Sequence, residues 1–236
     1  MSSFLAQRSA GFVDYVEQWL NNRPALTMQS VIQQPERVAV LCVDVINGFC
    51  SIGPLSSPRV QGIVAPIVRL FTAAQQLGVR HFILPQDTHA PDAVEFQQYP
   101  PHCVRGTAES ETAPELKALP FAATYVVIEK NSLSSSVNGQ LDRWLHQHPE
   151  VDTFIVTGDC SDLCTYQLAM HLRLRANEFQ KTGARVILPA DCVQTYHTPL
   201  DIAEKLGIPP HDGDLLHAIF LFNMAANGVE VVARLE

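Results

Sequence analysis

The chain has 236 residues, 47% of them hydrophobic and 17% charged, so it can bury a sizeable core without disulfide crosslinks and is not a disordered chain. Its 24 acidic and 16 basic side chains give a formal charge of −8, which argues against nucleic acid or an anionic membrane as the main partner. No apolar run reaches the roughly 18–20 residues of a membrane span, and the amino terminus lacks the apolar core of a secretory signal, so a cytoplasmic location is expected.

Short apolar, β-branched runs alternate along the chain with segments of helical spacing. In chain order we predict a helix at 9–21, a strand at 37–46, a helix at 60–77, strands at 79–85 and 124–129, a helix at 137–148, a strand at 153–158, a helix at 163–182, a strand at 184–189, helices at 200–206 and 214–227, and a strand at 229–233. Gly78 and Gly183 are expected just past the ends of two of these helices. Strands that are apolar on both faces are typical of parallel sheets covered on each side. The pattern therefore predicts an α/β fold, a three-layer sandwich with a mainly parallel sheet of about six strands flanked by helices.

Two regions follow from this reading. Residues 1–36 precede the first strand of the sheet and are expected to form a helical extension packed on the domain or on a partner subunit. Pro24 and Pro35 bracket its connection to the sheet. Residues 37–236 are expected to form a single domain.

The predicted strands end in ionisable side chains. Asp44 follows the first strand, Asp87 the second and Lys130 the third. Ligands of open α/β sheets bind beyond the carboxyl ends of the strands, so these residues are expected to converge on one crevice. The chain has neither G-x-G-x-x-G nor a Walker A loop, which argues against nucleotide binding.

Cysteine chemistry is a candidate activity. Six cysteines, at positions 42, 50, 103, 160, 164 and 192, are spread too thinly for the disulfide framework of a small secreted domain, so buried reduced thiols are expected. Cys164 is the best candidate nucleophile, because it falls in the first turn of a helix where Ser161 or Asp162 can act as the cap and where a thiolate is favoured. Lys130 can add a positive charge, and Asp44 can take the thiol proton. Taken singly, these residues also fit a buried cysteine, an exposed lysine and a helix-capping aspartate.

A second set of side chains suits a metal ion. Asp87 and His89 lie two apart at a strand end and can face one ligand, Glu95 follows, and a returning loop can bring His102 to them. Such a mixed oxygen and nitrogen set suits zinc, manganese or iron(II). The alternative hypothesis is that the Asp-x-His spacing arises by chance and that His102 is a surface or hydrogen-bonded histidine.

Three segments carry a resemblance to a known family. They are DVINGF at residues 44–49, DTH at 87–89 with YPPHCVRGT at 99–107, and SDLC at 161–164. Together they resemble the nicotinamidases, within the isochorismatase-like cysteine hydrolases, over roughly residues 38–232. The resemblance implies an isochorismatase-like fold and a catalytic triad of Asp44, Lys130 and Cys164. It also implies a divalent metal, zinc first, held by Asp87, His89 and His102. Glu95 stands where some members have a fourth ligand and others a histidine.

The resemblance also implies how a substrate is held. Phe49 and Tyr99 match aromatic positions that sandwich a pyridine ring. The family's cis peptide would join Asp159 to Cys160, letting the backbone N–H groups of Cys160 and Cys164 face a developing oxyanion. Asn47, where many members have glutamine, and the Asp159–Cys160 pair, where small or apolar residues are common, depart from the pattern.

The activity implied is an amidohydrolase that converts nicotinamide and water to nicotinate and ammonia in NAD salvage through a cysteine thioester. Pyrazinamide is a plausible further substrate. The substrate partner is therefore a small molecule, and the amino-terminal helix and the family habit suggest a homo-oligomer. One alternative is another hydrolase of the superfamily, acting on a carbamoyl compound or on isochorismate. The other is a catalytically silent, metal-stabilised binding subunit.

Overall fold

The computed structural model describes residues 4–236, and the elements below are those of this range. Its helices are Phe4–Asn21 (α1), Met28–Val31 (α2), Asn47–Cys50 (α3), Pro58–Gln76 (α4), Pro114–Lys117 (α5), Gln140–Gln147 (α6), Cys164–Glu178 (α7), Leu200–Leu206 (α8) and Gly213–Ala226 (α9). Its strands are Ala25–Leu26 (β1), Val38–Val43 (β2), His81–Asp87 (β3), Val126–Lys130 (β4), Thr153–Asp159 (β5), Arg185–Pro189 (β6), Val193–Gln194 (β7), Glu230–Val232 (β8) and Arg234–Leu235 (β9).

The central sheet is parallel and has helices on both faces, which confirms the predicted fold class. Its strands run in the order β4-β3-β2-β5-β6-β8, and the short β7, absent from the sequence prediction, pairs with the far end of β5. Alternate residues of β2 face opposite sides: Val40 belongs to the core beneath α4, whereas Leu41 belongs to the core beneath α6, α7 and α9. Because both faces are buried, the strand reads as a continuous apolar run.

Parallel pairing brings four strand ends to the same edge of the sheet. Asp87 at the end of β3 is in register with Lys130 at the end of β4, and Val43 at the end of β2 is in register with Gly158 of β5. The residues that follow β2 and β5 therefore lie beside the last residues of β3 and β4. This edge carries the candidate site.

Element ends differ from the sequence prediction where turns intervene. Helix α7 ends at Glu178 and not at residue 182, because Gln180 adopts a left-handed φ of 53° and the Lys181 N–H bonds the Ala176 carbonyl. Gly183 is therefore not the cap of this helix, whereas Gly78, with φ 98°, follows the end of α4 as expected. The strand predicted at 124–129 begins at 126, since residues 122–124 form a 3-10 turn. The helix predicted at 137–148 spans only residues 140–147.

The amino-terminal helix packs on the carboxy-terminal one. The ring of Phe222 on α9 meets Phe12, Tyr15 and Trp19 of α1 edge-on, with centroids 5.2 to 5.8 Å apart. Helix α1 begins at Phe4, earlier than the predicted residue 9. Within residues 4–236, no helix is long and apolar enough to cross a membrane. All six cysteines are buried and free, as expected.

Replacing Gly158 by alanine is expected to destabilise the fold by more than about 4 kcal/mol. The residue has φ +118°, and a Cβ there would lie 2.0 Å from the Val43 carbonyl oxygen of the neighbouring strand. Urea unfolding measures the effect. Gly62→Ala is the matched control, because a Cβ at this position of α4 would meet nothing within 4 Å beyond its chain neighbours and its own helix backbone. It should change stability by at most about 1 kcal/mol, in the stabilising direction. Equal unfolding midpoints for the two variants would contradict this expectation.

Candidate active site

The ammonium group of Lys130 occupies the centre of the site. Its Nζ lies 2.7 Å from Asp44 Oδ2, 2.5 Å from Asp87 Oδ1 and 3.6 Å from Cys164 Sγ. All four residues are buried, with at most 4% of any one exposed. The structure thus brings together the carboxylate, the lysine and the thiol that the sequence singled out. It adds Asp87 as a second carboxylate that contacts Lys130.

The backbone fixes Asp44 in place. Asp44 directly follows β2 with a left-handed φ of 57°, which aspartate tolerates better than most residues. Its N–H donates to the Pro85 carbonyl at 3.0 Å, and its Oδ1 accepts from the Asp87 N–H at 2.8 Å. Strand β3 therefore orients the carboxylate, leaving Oδ2 for Lys130.

The thiol stands on a tight turn, residues 159–164, which we call the nucleophile turn. The Asp159–Cys160 peptide is cis, as the resemblance implied. The Cys160 carbonyl accepts from the N–H groups of Leu163 and Thr165, each at 3.0 Å. The prediction that Ser161 or Asp162 caps α7 is wrong, because the helix begins without a side-chain cap. Both side chains are committed to histidines from another part of the chain.

Burial dominates the electrostatics of the nucleophile. It raises the pKa of the Cys164 thiol well above its ordinary value; Lys130 lowers this pKa, but Asp44 and Asp87 raise it. Burial likewise raises the pKa of Asp44 to about 6, and Asp87 adds to this while Lys130 opposes it. The direction of this shift favours the protonated thiol over the thiolate expected at the helix terminus. A protonated thiol beside a carboxylate is the arrangement of a nucleophile that is activated by proton transfer.

The side chains predicted to hold a metal form one cluster. Asp87 Oδ2 lies 3.5 Å from His89 Nε2 and 3.9 Å from His102 Nε2, and Glu95 Oε1 lies 3.9 Å from His89 Nε2. Ligand atoms bound to a tetrahedral zinc at about 2.0–2.2 Å lie roughly 3.4 Å apart, so these separations fit a metal after small adjustments. Asp87 belongs to both clusters, with Oδ1 on Lys130 and Oδ2 towards the histidines.

Hydrogen bonds orient the two histidines for this role. His89 Nδ1 lies 3.1 Å from Asn131 Oδ1, which also accepts from the Ala90 N–H, and His102 Nδ1 donates to the Pro100 carbonyl at 2.8 Å. Each Nε2 is thereby directed at the cluster, the arrangement that metal-binding histidines adopt. His89 Nε2 and Glu95 Oε1 are buried and have no hydrogen-bond partner within residues 4–236. A divalent cation would satisfy both atoms.

Aromatic rings surround the same cluster. The rings of Phe49 and Tyr99 lie 5.7 and 6.1 Å from the His102 ring. Phe96, which the sequence did not single out, packs 5.4 Å from His89 and 5.6 Å from His102. Nothing in its local sequence distinguishes it from a core phenylalanine. Phe49 and Tyr99, the two residues predicted to contact a pyridine ring, thus lie beside the candidate metal ligands.

Asn47, one of the departures from the family pattern, serves the backbone. Its side chain donates to the Ala108 carbonyl at 2.9 Å, and its N–H donates to the Glu111 carbonyl at 2.9 Å. It therefore anchors residues 108–111, which follow His102 in the chain, and leaves the four candidate ligands unchanged.

Comparisons with known proteins place this geometry in context. The model of the isochorismatase domain family matches residues 38–232. Nicotinamidase 1 of Arabidopsis thaliana is 27% identical over 224 residues, which span 87% of this chain and 89% of the relative.

Solved structures share the fold. N-carbamoylsarcosine amidase from Thermoplasma acidophilum superposes with a TM-score of 0.62 at 22% identity, covering 83% of this chain and 95% of that one. Pyrazinamidase of Pyrococcus horikoshii, solved in complex with zinc, superposes with a TM-score of 0.60 at 19% identity, covering 83% and 98%. The two scores are nearly equal, so the fold alone does not select a substrate.

Proposed function

The chain belongs to the isochorismatase family of hydrolases, and from that premise we propose that it is a nicotinamidase, converting nicotinamide and water to nicotinate and ammonia. One observation carries the proposal: Asp87 joins a buried Asp44–Lys130–Cys164 cluster to a ring-lined set of metal-binding side chains. A substrate that spans both clusters needs an amide beside the thiol and a ring nitrogen on the metal side. The name of the Arabidopsis relative supports the same substrate.

The residues present fit a zinc ion. Asp87, His89, His102 and Glu95 would hold it, with manganese or iron as alternatives. When bound, the metal supplies a Lewis acid that fixes the pyridine nitrogen of the substrate. Phe49 and Tyr99 would pack on the two faces of the ring. Together these contacts orient the carboxamide towards Cys164.

The first half of the reaction forms a thioester. Asp44 takes the Cys164 proton as Sγ bonds to the amide carbon, and the carbonyl electron pair moves onto oxygen. The backbone N–H groups of Cys160 and Cys164 would donate to this oxyanion. Asp44 then returns the proton to the amide nitrogen, the carbon–nitrogen bond breaks, and ammonia leaves.

The second half hydrolyses the thioester. Water attacks the thioester carbon while Asp44 takes one of its protons. Asp44 passes this proton to the sulfur as the carbon–sulfur bond breaks, giving the thiol and nicotinic acid, which releases its proton to solvent to become nicotinate. Lys130 stays charged throughout. Burial lowers the pKa of its ammonium group, but Asp44 and Asp87 outweigh burial and raise this pKa well above the ordinary value. Its ammonium holds Asp44 beside the sulfur and offsets negative charge as the thiolate forms.

The remaining proposals concern the setting. We assign residues 1–36 to an extension packed on a hydrolase domain of residues 37–236, an assignment supported by the contacts of α1 with α9. Self-association is proposed as well, since Phe4 and Leu5 of α1 leave more than 70% of their surfaces exposed. The proposed reaction belongs to NAD salvage in the cytoplasm.

Ammonia release from nicotinamide, with and without a chelator, tests the function. Benzamide is the matched substrate, because it has the same carboxamide and ring shape but no ring nitrogen. We expect turnover of nicotinamide on the scale of about 1–10³ s⁻¹, its loss on chelation, and a kcat/KM for benzamide lower by at least about a hundredfold. Turnover of an N-carbamoyl amine with none of nicotinamide would favour the other hydrolase reading. No turnover of any amide would favour a silent subunit.

A further inference from the structure

The nucleophile turn is held from outside by one later segment of the chain, residues 194–217, which we call the clamp segment. The Ser161 N–H donates to the Gln194 carbonyl at 2.9 Å. Ser161 Oγ lies 2.9 Å from His217 Nδ1, and Asp162 Oδ2 lies 2.7 Å from His211 Nε2. The two side chains best suited to cap α7 are thus both used to bind the clamp segment. A side-chain cap would stabilise α7, and a helix that lacks one although two capping residues are at hand is a local departure expected at a functional site.

His211 is itself rigidly held. Its Nδ1 donates to the Tyr196 carbonyl at 2.9 Å, and its ring stacks on the Tyr196 ring with centroids 3.8 Å apart and planes inclined by 18°. Its backbone exchanges two hydrogen bonds with Thr198, at 2.8 and 3.0 Å. In the chain between these points, which includes α8, Leu200 and Leu206 are mostly exposed.

The contact between Asp162 and His211 is a hydrogen bond to a carboxylate. Burial would raise the pKa of Asp162, but the bond with His211 and the neighbouring Thr195 hydroxyl hold it below the ordinary value, so the carboxylate is ionised. His211 links the Asp162 carboxylate to the Tyr196 carbonyl through its two ring nitrogens. Burial, with help from Arg59, lowers the pKa of His217 to about 4, so this ring meets Ser161 in its neutral form.

We infer that His211 and His217 are positioning residues, which act through Asp162 and Ser161 to fix the nucleophile turn in its reactive geometry. The inference rests on the proposed function, since amide turnover is one of its readouts. Cys160 and Cys164 flank the two clamped residues, so their backbone N–H groups and the sulfur move together with the turn. A displacement of about 1 Å at a reacting group costs on the order of a hundredfold in rate. None of the reacting groups in this scheme belongs to the clamp segment.

His211→Ala is the first test, with turnover expressed per folded molecule. We expect kcat to fall by about a hundredfold while KM changes by less than about threefold, because the metal cluster that binds the ring is untouched. His171→Ala is the matched control: this histidine also pairs with an aspartate, Asp142 at 3.0 Å, and lies on α7 itself, but outside the turn. Its kcat should equal that of the wild type. A His211→Ala kcat within about threefold of the control would overturn the inference.

A conservative variant separates positioning from charge. In Asp162→Asn the amide can donate to His211 Nε2 while Nδ1 still donates to the Tyr196 carbonyl, so the turn stays tied. We expect a kcat at least about tenfold above that of His211→Ala. Equal losses in two folded variants would contradict positioning. If His211→Ala fails to fold, Ser161→Ala removes the other tie without leaving a buried charge, and wild-type turnover in that variant would overturn the inference.

A readout without substrate keeps this inference separate from the proposed function. Amide hydrogen exchange of residues 160–166 is expected to be at least about tenfold faster in His211→Ala than in His171→Ala, because a tie to the turn is lost. Unchanged exchange would contradict the inference whatever the substrate. If the wild type shows no nicotinamide turnover but exchange still becomes faster in His211→Ala, the proposed function is refuted and this inference stands.

Discussion

Replacing Cys164 by alanine is expected to reduce ammonia release from nicotinamide by at least about a thousandfold while leaving the fold intact. In the proposed reaction this sulfur forms the thioester, and Lys130 Nζ lies 3.6 Å from it. Its removal leaves a small space in the buried site and no unpaired charge. The assay is ammonia release under saturating nicotinamide, with circular dichroism to show that the variant is folded.

Cys192→Ala is the control for this loss. It removes another buried thiol, 2% exposed and within the core beneath α4, at a position outside the candidate site. Turnover should stay within about twofold of the wild type. Residual activity in Cys164→Ala comparable to that of Cys192→Ala would overturn the assignment of the nucleophile.

Replacing His102 by alanine is expected to remove most of the bound metal and to raise KM for nicotinamide by about a hundredfold. The residue supplies one of three ligand atoms that lie within 4.8 Å of one another, and its loss leaves one histidine with the carboxylates of Asp87 and Glu95, a weaker set for zinc. Metal content per chain, measured by atomic absorption after gel filtration, and KM are the two readouts. Unchanged metal content would show that the ion is held elsewhere.

Two further variants test the metal site, one expected to weaken metal binding and one expected to leave it unchanged. Asn131→Ala keeps all four ligands but frees the His89 ring, so zinc affinity should fall by about 10–100-fold without being abolished. His81→Ala removes a histidine from the opposite end of β3, the strand that ends at Asp87, and should leave metal content unchanged. Metal loss in His81→Ala would indicate that the cluster responds to general damage to the sheet.

The sequence predicted the sheet well because its signal is local. A strand buried on both faces is apolar throughout, and β2 shows this directly, with alternate residues such as Val40 and Leu41 in separate cores. Parallel order then places the strand ends together, so the meeting of Asp44, Lys130 and Cys164 could be anticipated. The element ends were less accurate, because they depend on single backbone conformations such as the left-handed Gln180.

The missed features depend on contacts between distant residues. Ser161 and Asp162 look like caps in isolation, yet each has a stronger partner about fifty residues later in the chain, in His217 and His211. Asn131 has no metal-binding motif of its own and acts through His89. The burial of Cys164, which raises the pKa of its thiol, likewise depends on the whole fold and not on its position at a helix terminus.

The central claim is that Cys164 forms a thioester with the acyl group of the substrate. Rapid acid quenching of the enzyme during nicotinamide turnover, followed by mass spectrometry of the proteolysed chain, tests it most directly. The account predicts a nicotinoyl group on the peptide that carries Cys164, absent from Cys164→Ala and discharged by hydroxylamine. Turnover at full rate with an unmodified Cys164 peptide, or with the acyl group on another residue, would contradict it.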